Sequence, residues 1–145
     1  MPDDEGQIRQ LIARFANSFD LKAWDALRDC LAESLRTDYS DLRGSKPEIV
    51  SRERFVELRR RALDSLKTHH LAGNPEITVE RCPRAMPDIH GHLATRRARG
   101  GAFDTHCLYF FGVAKAEDGW HISAITQKVL WNDGDPTLHA GVQKA

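Results

Sequence analysis

Phe103-Asp104-Thr105-His106-Cys107-Leu108-Tyr109-Phe110-Phe111-Gly112-Val113 decides how this chain folds. Its apolar residues fall on both parities, the pattern of a strand covered on both faces at the centre of a sheet. Asp118-Gly119 follows, the strongest hairpin signal in the chain. Beyond it, Trp120 to Leu130 reads as the last strand. Upstream, Gly100-Gly101 marks a turn. Residues 85–97 alternate, with Ile89, Gly91 and Leu93 on one face and His90, His92 and Ala94 on the other. Ile77 to Arg81 is a further strand candidate, and from about residue 133 the chain reads as a polar, frayed tail.

The first half has a helical period instead. Ile8, Leu11, Ile12, Phe15 and Phe19 define an amphipathic helix over residues 5–18, with Asp4 and Gln7 as its capping box. Trp24, Leu27 and Leu31 mark a second helix after a break around Asp20. Residues 35–42 form a short extended piece, and Gly44, Ser45 and Pro47 a loop. Ser51 caps a third helix that turns Phe55, Leu58, Ala62 and Leu66 inward. Helices first, then about four strands joined by tight turns, predict an α+β fold: a curved antiparallel sheet covered by about three N-terminal helices, as a single domain over residues 1–145.

Composition narrows the function. Among 145 residues, Lys+Arg and Asp+Glu both number 21, and this balance gives no electrostatic footprint for nucleic acid or an acidic membrane. The run Arg59-Arg60-Arg61 reads as the solvated face of a helix. Cys30, Cys82 and Cys107 are three in number with no CxxC pair, which fits buried free thiols rather than a disulfide framework. With an acidic N-terminus and no apolar run of membrane-spanning length, the expectation is a cytoplasmic protein.

Several residues carry chemistry. Asp20 fits the N-cap of the second helix, or a partly buried carboxylate that orients a histidine beside Phe19 and Trp24. His69 and His70 are adjacent at the start of a strand, so one of them faces inward. His90 and His92 share a strand face, and His106 shares one with Leu108 and Phe110, pointing toward an apolar interior. Histidine titrates near neutral pH and suits proton transfer. His90-x-His92 with Asp20 or His70 would be chemically adequate for a metal, yet no cysteine or carboxylate completes a recognised spacing, so no metal is expected. Nucleotide-binding glycine loops and GxSxG are missing from the chain, so no nucleotide cofactor is expected.

Phe15 to Leu27, Leu35-Arg36-Thr37-Asp38-Tyr39, Thr68 to Asn74, Asp118 to Ile122 and Trp131 together resemble scytalone dehydratase and its relatives in the nuclear-transport-factor-2-like (SnoaL-like) superfamily. The resemblance implies a cone: a strongly curved sheet wrapped by helices, with a pocket at one end. It implies that Asp20, Tyr39, His70 and His92 are the catalytic residues, with His90 the alternative to His92. Two departures stand out. Phe19 occupies the place of a second tyrosine, and apolar residues near Leu108 and Phe110 replace a Ser and an Asn, with His106 close by. Phe19, Trp24, Phe55, His90, His106, Phe110 and Trp131 are expected to contact substrate.

The activity so implied is a cofactor-free dehydration through an enolate, on a small hydrophobic hydroxy-ketone or polyketide-like aromatic substrate. Isomerisation or ring closure begins from the same enolate, and a non-catalytic ligand-binding module is the alternative on this fold. One sheet face left uncovered by helices predicts a homo-oligomer, dimer or trimer, packed through the sheet.

Overall fold

The computed structural model describes residues 3–79, the backbone of residues 88–98, and residues 101–138. Helix α1 spans Asp4–Asp20, capped by Asp3, whose carboxylate accepts the Gly6 amide at 2.8 Å. The cap lies one residue before the expected one because Asp4 is engaged elsewhere. Its carboxylate accepts from Lys115 Nζ at 2.7 Å and Trp120 Nε1 at 3.0 Å, which pins the helix start to the far hairpin. Helix α2 (Trp24–Asp29) is short, and strand β1 (Leu31–Asp38) begins four residues before the expected extended piece. Helix α3 (Ser40–Arg43), strand β2 (Glu48–Ser51) and helix α4 (Arg52–Leu63) follow, the last capped by Ser51, which accepts the Arg54 amide at 3.1 Å. Strands β3 (Lys67–Ala72), β4 (Asp88–Ala98), β5 (Gly101–Ala116) and β6 (Gly119–Gly134) complete the sheet, and a 3₁₀ turn over Pro136–Leu138 follows.

The sheet order is β2-β1-β6-β5-β4-β3. Four neighbouring pairs are antiparallel, as expected of strands joined in succession, whereas β1 runs parallel to β6. These two strands are not consecutive, so no hairpin dictates their relative direction. The β5–β6 hairpin closes between Ala116 and Gly119, whose φ of +125° belongs to glycine. Strand β6 continues through the expected tail to Gly134, paired with Phe103. Ile77 to Val79 form no strand, and the rest of that candidate, with Cys82, lies outside the described residues. Among the described residues no helix is long and apolar enough to cross a membrane.

Helix α1 lays Ile8, Leu11, Ile12, Phe15 and Phe19 onto the concave face of the sheet. On β5 that face presents Phe103, Thr105, Cys107, Tyr109 and Phe111, all buried. Phe15 meets Phe111 edge-on at 5.4 Å and Phe19 at 5.0 Å, an aromatic seam that fixes where α1 ends on the sheet.

Candidate active site

The seam brings the last residue of α1 against the first turns of β3. Asp20 caps no helix: α2 starts after Ala23 with no side-chain cap. Its carboxylate is instead saturated by β3. Oδ1 lies 2.7 Å from His70 Nδ1 and accepts from Thr68 Oγ1 at 3.0 Å, and Oδ2 accepts the His70 amide at 2.7 Å. Lys22 Nζ donates to the Leu63 carbonyl at 2.8 Å and to Thr68 Oγ1 at 3.3 Å, extending the network. Burial alone pushes the Asp20 carboxyl up and is the largest single influence. The His70 ring and amide bonds, the His70 charge and the Thr68 hydroxyl together outweigh it, so the carboxyl sits below its usual value. Desolvation lowers the Lys22 ammonium, against the pull of Asp20 and Asp64.

An Nδ1 bonded to a carboxylate carries the proton there, which sets the tautomer that presents an Nε2 lone pair. His70 is buried and His69 exposed, so His70 is the inward one of the two. The His70 ring packs 5.0 Å from Phe19 and lines a small, narrow cavity with Phe19, Tyr39, Arg59, Tyr109 and Gln127. Tyr39 is thus brought to the same cavity as His70, with Asp20 directly behind the imidazole.

A second cavity adjoins the first and shares Tyr39, Arg43 and Arg59 with it. Phe55 lines this neighbour. Trp24 stands outside both: it packs edge-on to Phe19 at 6.4 Å and donates to Asp64 Oδ1 at 3.1 Å. His92 pairs with Ala72 and Cys107 in backbone register, and His90 falls at the register shift beside it; the side chains of both lie outside the described residues.

Three expected substrate contacts are on the wrong side of the sheet. His106 and Phe110 alternate with the buried set of β5, and a register shift between His106 and Cys107 brings Trp131 opposite His106, so all three turn away from the helices. His106 stacks on Trp131 at 4.3 Å, and Trp131 is 56% exposed. The cause is parity: the strand is apolar on both faces, so composition did not say which set faces the cavity.

The site also contains residues that the sequence reading passed over. Arg59 was assigned to a solvated face, yet it is only 6% exposed, with its guanidinium carbon 4.5 Å from the Tyr39 ring and 4.6 Å from the Phe55 ring. Gln127 is 1% exposed and donates from Nε2 to Tyr109 Oη at 3.1 Å. Its Oε1 has no partner among the described residues. Reversing the amide would only move the deficit to nitrogen, so one Gln127 atom is left for a ligand either way. Tyr109 and Gln127 share parity with Cys107 and Ile125, which is the signal that identifies them. Among the described residues no three His, Cys, Asp or Glu side chains cluster as a metal site.

With this geometry in view, comparison with known proteins is decisive for the family. The model of the SnoaL-like domain matches residues 2–126. The chain belongs to the SnoaL-like family. A scytalone dehydratase-like protein of Passalora fulva is 36% identical over 78 residues, covering 54% of this SnoaL-like chain and 44% of that relative. The match therefore spans less than half of the relative's length. The Kfla4162 protein of Kribbella flavida superposes with a TM-score of 0.86 at 20% identity, over 93% of this chain and 95% of that one. A type 2 hexachlorocyclohexane dehydrochlorinase, LinA, superposes at 0.76 with 12% identity, over 97% and 92% of the two chains. These likenesses establish the SnoaL-like α+β cone for this chain.

Proposed function

We propose that this protein is a dehydratase that eliminates water from a small hydroxy-ketone through an enolate, using only side chains for acid–base chemistry. The observation that carries this reading is the Asp20–His70 contact of 2.7 Å at the wall of an aromatic cavity that also holds Tyr39. His70 Nε2 takes the proton α to the carbonyl, and Asp20 stabilises the imidazolium that forms. The Tyr39 hydroxyl, directly or through a water, donates to the carbonyl oxygen as the C–H bond breaks and negative charge gathers there. The enolate then collapses: the C=C bond forms, the C–O bond to the leaving hydroxyl breaks, and a proton delivered to that oxygen releases water. His92 is the proposed donor of that proton.

Elimination is favoured over isomerisation and ring closure because the Passalora fulva relative is named for loss of water and the LinA neighbour for loss of hydrogen chloride. An aromatic lining of Phe15, Phe19, Tyr39 and Tyr109 suits a flat, polyketide-like substrate. The buried Cys30 thiol is consistent with a reducing, cytoplasmic setting. A homo-oligomer belongs to the same reading, supported by exposed Leu71, Leu130 and Trp131 on β3 and β6. The test is a panel of mono- and bicyclic hydroxy-ketones followed by ultraviolet absorption as aromatisation proceeds. Turnover by the wild type that is lost in Asp20→Asn supports the proposal, and turnover equal in both proteins sinks it.

A further inference from the structure

Arg59 is a permanent cation placed where water barely reaches it. It is 6% exposed and lines both cavities. Burying a guanidinium is costly unless its charge and its N–H groups are matched. Here the guanidinium carbon lies 4.5 and 4.6 Å from the Tyr39 and Phe55 ring centroids. Ring contacts offer the five N–H donors no oxygen acceptor. Among the described residues no hydrogen bond and no ion pair engages the Arg59 guanidinium, although every other arginine of α4 except Arg60 is paired with a glutamate. Arg43 approaches the same Tyr39 ring at 5.2 Å, and Lys46 joins the wall of the second cavity, where Glu48 is the sole carboxylate among the described lining. The two adjoining cavities, which share Arg43 and Arg59, therefore carry an excess of positive side chains around a planar fork.

We infer that Arg59 recognises a carboxylate on the substrate, so that the ligand of this site is a small aromatic or enolisable acid whose anionic group seats on Arg59 in the cavity that Tyr39 and Phe55 also line. This deepens the dehydratase reading and rests on it for what happens to the bound acid, but not for the binding itself. A carboxylate supplies the in-plane acceptors that the rings cannot, and Arg matches it with two parallel bonds. It also explains a feature that a neutral ketone leaves idle: an uncompensated charge kept beside the catalytic histidine's cavity.

The experiment is calorimetric titration of the whole protein at pH 7 with salicylate and 2-hydroxyphenylacetate, each compared with its carboxamide. The acids should bind at least about tenfold tighter than the amides. Arg59→Met, which keeps the length and the apolar contact with both rings, should erase that preference while circular dichroism and melting temperature stay close to wild type. Arg59→Lys, retaining charge without the fork, should keep part of it, and this variant carries the test if Arg59→Met does not fold. Asp20→Asn should leave the preference intact, because Asp20 holds His70 from behind and does not itself line either cavity. Equal affinity for acid and amide, no binding of either acid up to millimolar concentration, or a preference that survives Arg59→Met in a folded protein would each overturn the inference. Loss of acid preference with hydroxy-ketone turnover intact would remove this inference alone; acid preference without turnover would remove the dehydratase reading alone.

Discussion

The Asp20 carboxylate holds His70 at two points, Oδ1 to the ring Nδ1 and Oδ2 to the backbone amide, both at 2.7 Å. The imidazole is thereby fixed in tautomer and in position along β3 by one side chain. Asp20→Asn can satisfy only one of these two donors as an acceptor and presents an amide N–H to the other. Turnover is expected to fall by about 10²–10⁴-fold. Stability should fall by only about 1–3 kcal/mol, the loss of one buried bond. Steady-state kinetics with thermal melting checks both, and unchanged turnover would reduce Asp20 to a structural role.

Acid should weaken the fold through the same carboxylate. The Asp20 carboxyl lies below its usual value of 3.8 in the folded protein and returns to that value when unfolded. The unfolded chain therefore binds the proton first. The stability contributed by this group is full above about pH 5 and is lost as pH falls through the folded value. Melting temperature from pH 3 to 7 should drop less steeply in Asp20→Asn than in wild type. Part of the acid limb will remain, since Asp38 is also lowered, chiefly by the Ser40 hydroxyl. Parallel curves for the two proteins would contradict this account.

Gln127 supplies a signature that a structural residue would not show. Its buried Oε1 lacks a partner among the described residues, so Gln127→Met removes an unmet polar atom as well as the bond to Tyr109. The melting temperature should hold or rise, while affinity for ligands with a hydroxyl group drops about tenfold. A drop in melting temperature with unchanged affinity would mark Gln127 as packing alone.

The convex face predicts self-association. Leu71 is 56% exposed, Leu130 55% and Trp131 56%, and Trp131 is stacked on His106. A dimer or trimer is expected by light scattering at micromolar concentration, and Trp131→Asp should dissociate it without abolishing the fold. A wild-type monomer would refute the prediction.

Cys30 should be chemically silent. Desolvation, with a smaller push from Asp29 and against Arg14, raises its thiol to about 11. Peptide mapping after alkylation of the native protein at pH 8 should leave Cys30 unlabelled until denaturant is added. Rapid native labelling of Cys30 would show that this part of the core opens readily.

Much of this arrangement was legible in the sequence, and the failures have identifiable causes. The α1 face from Ile8 to Phe19, the Ser51 cap and the β5–β6 hairpin follow from period and turn chemistry, and they appear as expected. Asp20, Tyr39 and His70 are singled out together by resemblance, because nothing local says that a residue ending one helix will meet a strand that starts after another. Leu31 reads as helical in sequence, since Leu-Ala-Glu-Ser-Leu has helix-forming composition, and its pairing with Ile122 on β6 makes it extended. Arg59 was missed for the opposite reason. The buried line of α4 is Phe55, Arg59 and Leu63, spaced by four, but a charge at the central position argued against burial. The ring it packs against belongs to Tyr39, which is distant in sequence.

The parallel pairing of β1 with β6 has a consequence for how the chain acquires its shape. Leu31 needs Ile122, and Thr37 needs Ile125, so the strand that leads to Tyr39 has its inner neighbour only once the last strand exists. Before then β1 has β2 alone, a two-stranded ribbon that is marginal by itself. Contacts so far apart along the chain carry a large loop-closure entropy and slow the search for the native topology. A ribosome that has delivered only the helical half therefore carries a segment with an open edge, and the cavity comes into being last, in a single late closure after the final hairpin has emerged.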